Sequence, residues 1–324
     1  MISSAAAADR FGRGVVLAAP AKLNLSLAVL ARRADGYHDI ESLMVPLSLH
    51  DVLRVRGRDD GRVTLALEST AGPAAGIRTV PADETNLAVR AVRRLAAAAG
   101  EPRGLDIELV KRIPAGGGLG GGSSDAAAAI LAAAWVWGID WPRSRLADIG
   151  AEIGSDVPWF FAARPAIVRG RGEAVEPVPP LPPLWAVVAC PDAGLSTAAV
   201  YARCTPDAAS RGEAARLAAA LAGGGLRAAA PLLVNALEPP ARALCPEVDG
   251  LLEALARCGG VAPRMTGSGS SCFTLARTAA EARGIAGRLR AERSPRGPRW
   301  SAVFTAALAL PPGAVRPARP AEAA

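Results

Sequence analysis

The sequence predicts an α+β protein built in two halves, and three observations carry that expectation. Between residues 105 and 138 a strand runs directly into a glycine-rich loop and then a long alanine-rich helix. A proline-rich segment, Pro177 to Pro183, interrupts the chain. Beyond it the apolar pattern reads strand, helices, strand, strand, helix, strand, which is the split-βαβ order. A chain of 324 residues, 51% hydrophobic and 21% charged, is large enough to bury a core without disulfides.

In the first predicted strand, Lys22 to Val29, Leu23, Leu25, Leu27 and Val29 alternate with Lys22, Asn24 and Ser26. The polar set therefore shares a face suited to lining a cleft. Asp35-Gly36 is a turn signal that presents Tyr37 and His38 side by side; on its own such a pair is also compatible with a simple capped turn. His50, the other histidine, reads as structural. Strands follow at Val52 to Val55 and Val63 to Leu67, then a helix from about Asn86 to Ala99 and a strand in which Leu105, Ile107 and Leu109 alternate with Asp106 and Glu108. The alanine-rich helix comes after the loop, and another helix spans Arg143 to Ile153. In the second half we expect strands at Trp185 to Ala189, up to Met265, Cys272 to Leu275 and from Trp300, with helices ending at Val248 to Arg257 and at about Ala279 to Arg290. Residues 15–176 and 184–312 are the predicted domains, and 1–14 and 313–324 are expected to be frayed tails.

The loop PAGGGLGGGSS at 114–124 has six glycines in the seven positions 116–122. Bare backbone can close its N–H groups around an anion, and the following helix adds its free N–H groups and dipole at the same place. A phosphate is the anion such a loop suits. No Gly-Lys-Ser/Thr follows the glycines, so it is not the P-loop of most nucleotide hydrolases. The preceding strand ends in Lys111-Arg112 and lacks a βαβ repeat, which argues against dinucleotide binding. The signature sequences of a protein kinase are absent.

The net charge of +7 raises nucleic-acid binding, yet the arginines are dispersed and aromatics make up 4% of the chain, so a basic cleft for a phosphorylated small molecule suits it better. Only two of the 37 basic residues are lysines, Lys22 and Lys111, and both lie in or beside a motif. Lysine is a compact point charge that arginine does not replace in a tight site. The five cysteines lack metal-type spacing and are expected to be reduced, as in a cytoplasmic protein. The start of the chain shows no signal-peptide pattern, and the apolar stretch Ala126 to Ile139 is too short to cross a bilayer.

Three motifs appear in order: PAKLNL at 20–25, the glycine loop, and MTGSGSSCF at 265–273. In this the chain resembles the GHMP small-molecule kinases, the superfamily of galactokinase, homoserine kinase and mevalonate kinase. The resemblance implies a ribosomal-protein-S5-like amino-terminal half, a ferredoxin-like carboxy-terminal half, and ATP with Mg²⁺. With Tyr37-His38 added, it is similar to the branch that phosphorylates 4-(cytidine 5′-diphospho)-2-C-methyl-D-erythritol on its 2-hydroxyl. That branch implies Tyr37 stacking on cytosine, His38 bonding the base edge, Thr197 and Tyr201 closing the far wall, and Asn24 beside the substrate. Asp156 is implied as general base with Lys22 next to it. For ATP, the resemblance points to Pro114, Ala115, Gly116, Gly117, Gly118, Leu119, Gly120, Gly121, Gly122, Ser123 and Ser124. Asn86 and Lys111 are candidates for the adenine and ribose side, and the serine hydroxyls for phosphate or Mg²⁺. Asp125, where the superfamily also carries asparagine, receives no role. Another kinase of the superfamily, or a non-enzymatic RNA-binding module, are the alternatives; neither a nucleic-acid nor a membrane partner is expected.

Overall fold

The computed structural model describes residues 14–69, 80–294 and 297–310, so the expected tails lie, apart from Gly14, outside the described residues. In chain order the elements are β1 (Val15–Arg32), β2 (His38–Arg58), β3 (Val63–Ser69), α1 (Leu87–Ala99), β4 (Gly104–Lys111), α2 (Gly121–Trp137), α3 (Arg143–Ala151), α4 (Val157–Phe160), β5 (Ala166–Gly170) and β6 (Ala174–Pro177). There follow β7 (Trp185–Cys190), α5 (Thr197–Tyr201), α6 (Glu213–Ala229, broken at Gly225), α7 (Glu238–Leu244), α8 (Glu247–Arg257), β8 (Val261–Met265), β9 (Cys272–Ala276), α9 (Ala279–Ala291), β10 (Arg293–Ser294), β11 (Gly297–Pro298) and β12 (Ala302–Ala307).

The first half forms a sheet in the order β3-β4-β2-β5-β6, with β1 also on β2. Only β3–β4 is a parallel pair; the others are antiparallel. The strand expected at Val52 to Val55 is the far end of a much longer β2. From Ile40 to Leu47 both faces of β2 are buried, so no apolar alternation marks it in the sequence. Its partner β1 slips register between Pro20 and Lys22, between Asn24 and Ser26, and between Val29 and Ala31. These irregularities break the polar face expected of β1. Lys22 and Asn24 reach the cleft, Leu27 joins them there, and Ser26 turns to accept the Leu43 N–H at 3.3 Å.

The second half forms an antiparallel sheet in the order β12-β7-β9-β8, the ferredoxin-like arrangement that the split-βαβ pattern predicts. Three cores define four layers. Helices α1 to α4 cover one face of the first sheet through Leu53, Leu95, Ile107 and Trp159. Leu23, Leu25, Val45 and Leu47 on its other face meet Val188, Phe273 and the α6 leucines of the second half. Leu251, Leu255, Ile285 and Leu289 of α8 and α9 close the outer face. Backbone bonds also stitch the halves together: Leu27 N donates to Val234 O at 2.9 Å and Ala236 N to Leu27 O at 2.8 Å. Among the described residues, no helix is long and apolar enough to cross a membrane.

Candidate active site

The glycine loop owes its shape to β4, which ends at Lys111, and to α2, which starts at Gly121. Gly118 and Gly120 are left-handed, with φ of 78° and 72°, so neighbouring N–H groups converge on one concavity. Gly120 also caps α2, which opens the first N–H groups of that helix toward the same space. Leu119, between the two glycines, points away and is 1% exposed in the core between the sheets, pinning the loop. Its carbonyl accepts the Lys22 backbone N–H at 3.0 Å. A Cβ on Gly120 would lie 2.8 Å from the Phe160 ring and 2.9 Å from Lys22 Cγ, so the bare backbone is what lets Lys22 cross the loop.

Lys22 is 4% exposed, donates to Asn24 Oδ1, and lies 3.5 Å from Asp156 Oδ2. Asn24 is held in register: its Nδ2 donates to Ser42 Oγ at 2.7 Å, Ser42 Oγ donates to Ser26 O at 2.6 Å, and its own N–H donates to Thr266 Oγ1 at 3.0 Å. With Nδ2 committed to Ser42, Oδ1 is left to orient the ammonium. Asp156 precedes the one-turn α4 and makes no capping bond, and its side chain is 35% exposed, so the carboxylate opens into the cleft. A Cβ on Gly154 would sit 4.0 Å from Ser123 Oγ, which places that hydroxyl against the loop carrying Asp156.

The cleft holds about 1100 Å³. Lys22, Asp156 and Ser123 line it together with Tyr37, His38 and Tyr201. The His38 and Tyr201 rings lie 5.1 Å apart at 32°. Burial, helped by the charge of Arg32, lowers the His38 pKa from its ordinary value, which favours the neutral imidazole. Burial raises the Tyr201 phenol, with a smaller push from Asp156. Tyr201 both packs on the outer core and lines the cleft. Thr197 Oγ1 meets Ser268 Oγ at 2.8 Å, tying the start of α5 to the late glycine turn.

Other sequence-predicted residues fall elsewhere. Lys111 is 3% exposed and sits between Asp51 and Asp125, with Asp125 Oδ2 at 2.7 Å. Asp51 Oδ1 also accepts the Arg112 and Ile113 N–H groups at 2.5 and 2.8 Å. The position expected to serve adenine or ribose therefore joins β2, β4 and α2 beneath the loop, and Asp125 gains a role. Burial pushes the Asp125 carboxyl up to about 7, Lys111 opposing and Asp51 reinforcing the shift. Asn86 is the N-cap of α1, its Oδ1 accepting from Ala88 N at 2.9 Å and its Nδ2 donating to Pro81 O at 2.7 Å, and it does not line the cleft. Ser123 faces the cleft, whereas Ser124 lines a small cavity with Pro20 and Phe160, its buried Oγ finding no partner among the described residues. The late glycine turn, left unassigned in the sequence, buttresses the first loop: Ser271 N donates to Gly117 O at 3.3 Å, and a Cβ on Gly118 would run into Thr266 O. Sequence reasoning missed Ser42, Arg32 and Arg171. None lies in a motif.

Family models for the GHMP kinase N-terminal and C-terminal domains match residues 86–164 and 204–294. The 4-diphosphocytidyl-2-C-methyl-D-erythritol kinase of Salinispora arenicola (strain CNS-205) is 42% identical, over 86% of this chain and 90% of that protein. The chain belongs to the 4-diphosphocytidyl-2-C-methyl-D-erythritol kinase family of GHMP kinases. A crystal structure of a 4-(cytidine 5′-diphospho)-2C-methyl-D-erythritol kinase superposes with a TM-score of 0.70 at 36% identity, covering 90% of this chain and 98% of that one. The likeness to L. major mevalonate kinase is one of fold alone, with a TM-score of 0.66 at 15% identity, covering 91% of this chain and 96% of that one.

Proposed function

We propose that this kinase transfers the γ-phosphoryl group of ATP to the 2-hydroxyl of 4-(cytidine 5′-diphospho)-2-C-methyl-D-erythritol. The observation that carries the reading is the Lys22–Asp156 pair, 3.5 Å apart at the mouth of the glycine cradle and in one cleft with Tyr37, His38 and Tyr201. Phosphoryl transfer needs an in-line acceptor, charge neutralisation and a proton acceptor. The cradle amides and the α2 N-terminus hold the phosphates. Asp156 orients the acceptor hydroxyl and takes its proton, while Lys22 stabilises the oxyanion that develops. At the far end Tyr37 stacks on cytosine, neutral His38 bonds its edge, and Thr197 and Tyr201 close the wall.

Among the described residues no cluster of three His, Cys, Asp or Glu is placed to hold a metal. The Ser123 hydroxyl and the Asp156 carboxylate are among the hard oxygen donors that line the cleft, which fits Mg²⁺ carried mainly by nucleotide phosphates. Ser123 would then hold the ion, which neutralises charge on the transferring group. The reading assigns ATP binding to 15–176 and the closing wall to 184–312, and places the enzyme in the cytoplasm, acting on small molecules. Purified chain supplied with ATP and, separately, the cytidylyl substrate, mevalonate and homoserine should release ADP only with the first. Turnover of mevalonate or homoserine instead would overturn the substrate assignment.

A further inference from the structure

Arg171 occupies the tip of the tight turn between β5 and β6, and no sequence motif contains it. Two contacts fix the backbone of this turn. The Arg171 N–H donates to Glu173 Oε2 at 2.7 Å. A Cβ on Gly172, whose φ is 129°, would lie 2.9 Å from the carbonyl oxygen of Ser155, so the turn packs directly on the residue before Asp156. From that platform the side chain reaches the base end of the cleft, where its guanidinium lies 3.7 Å from the centroid of the Tyr37 ring. The turn of Arg171 therefore reaches both Tyr37 and the loop that carries Asp156.

The charge of Arg171 acts on the Asp35 carboxyl, which, against burial, the Tyr37 N–H, Arg33 and Arg171 together hold below its ordinary value. Arg171 Nε is buried and has no hydrogen-bond partner among the described residues. The nearby Asp35 carboxylate is engaged by Arg33 Nε at 3.1 Å and by the Tyr37 N–H at 3.1 Å, and Glu173 is turned to the Arg171 backbone. Lys22, another cation of the cleft, is committed to Asp156 and Asn24. A guanidinium over an aromatic face keeps its N–H donors in its own plane, where the outer ones can meet two oxygens at once.

We propose that Arg171 is a specificity-determining residue that reads the diphosphate of the nucleotide-linked acceptor. This rests on the proposed function, in which the base sits at Tyr37 and the reacting hydroxyl at Asp156. In a substrate so placed, the diphosphate is the segment between the two, and Arg171 is a cleft cation whose guanidinium lies over Tyr37 while the next residue of its turn, Gly172, packs on the residue before Asp156. The same stacking holds Tyr37, 49% exposed, in a fixed plane for the base.

Calorimetric titration of the full chain with cytidine and with cytidine 5′-diphosphate separates the roles. Wild-type chain should bind the diphosphate more tightly than the nucleoside. Arg171→Met should weaken cytidine 5′-diphosphate about tenfold or more, as expected for losing a charge-assisted bidentate contact, while cytidine changes less than about twofold. Arg171→Lys should recover part of the loss. In turnover, R171M should raise KM for the cytidylyl substrate and leave KM for ATP unchanged. Equal weakening of both ligands would show that Arg171 only supports Tyr37 and would overturn the proposal, as would unchanged diphosphate affinity in R171M. If wild-type chain binds neither ligand, the base-pocket reading itself fails, and this inference goes with it.

Discussion

His38 shows how one side chain ties chemistry to environment. Its ring faces Tyr201, and burial together with Arg32 holds its pKa below the ordinary histidine value. A neutral ring can both donate and accept toward cytosine, whereas the imidazolium only donates. KM for the cytidylyl substrate should therefore stay flat through neutral pH and rise as pH falls below that lowered value, with KM for ATP unaffected. His38→Ala should raise the same KM about tenfold and abolish its acid limb; an unchanged pH profile would remove His38 from the pocket. The lysines were legible in the sequence because arginine bias makes them rare, whereas the pairing of Lys22 with Asp156 was implied only by the family resemblance. Lys111 carries the same signal and means something else. Its partners Asp51 and Asp125 come from β2 and α2, and no spacing rule announces a contact across 60 residues. Arg171 was hidden for the opposite reason, as one arginine among many.

At the scale of elements, the glycine loops work as an interlocked pair. Gly117 has no Cβ to strike Ser271 Oγ, and Ser271 in turn donates its N–H to the Gly117 carbonyl at 3.3 Å. Gly117→Ala should destabilise by about 1–3 kcal/mol through overpacking and raise KM for ATP. Adding Ser271→Ala removes the offending hydroxyl, leaving the Ser271 Cβ 3.6 Å from the new methyl, an ordinary contact. The double variant should regain most of the lost melting temperature and ATP affinity. Additive losses would show that the loops do not touch in this way. The strand–loop–helix order and the helix boundaries of α1 and α9 were legible because caps and apolar period agree there, while α8, which has no side-chain cap, was marked by its apolar period. The extent of β1 and β2 was not, since strands buried on both faces lose the alternation that marks them.

Across the whole molecule, the Asp51–Lys111–Asp125 cluster joins the first sheet to the helix that carries the cradle. Lys111→Met would leave two carboxylates buried without their cation and should cost about 3–5 kcal/mol of stability. Asp125 titrates with a sign opposite to that of an ordinary carboxylate. Its folded pKa is raised from 3.8 to about 7, so the folded chain holds the extra proton, and the contribution present at low pH is lost as pH climbs through that window. Asp125→Asn removes this term, so the variant should gain stability relative to wild type between about pH 4 and 7, as read by denaturant unfolding. A pH-independent difference would show that Asp125 does not carry the proton. The four-layer stacking explains why such a cluster matters to catalysis. One side of the cradle hangs on it, while the other side rests on the carboxy-terminal sheet through Leu119 and Thr266.

In the proposed reaction, Lys22 and Asp156 perform the transfer at the mouth of that cradle. Single-turnover transfer from ATP to the cytidylyl substrate, both saturating, tests it in wild-type and Asp156→Asn chains. We expect the rate to fall about 10³-fold or more with Kd for ATP and for cytidine within about threefold of wild type. A D156N chain that transfers phosphate at near the wild-type rate would contradict the account.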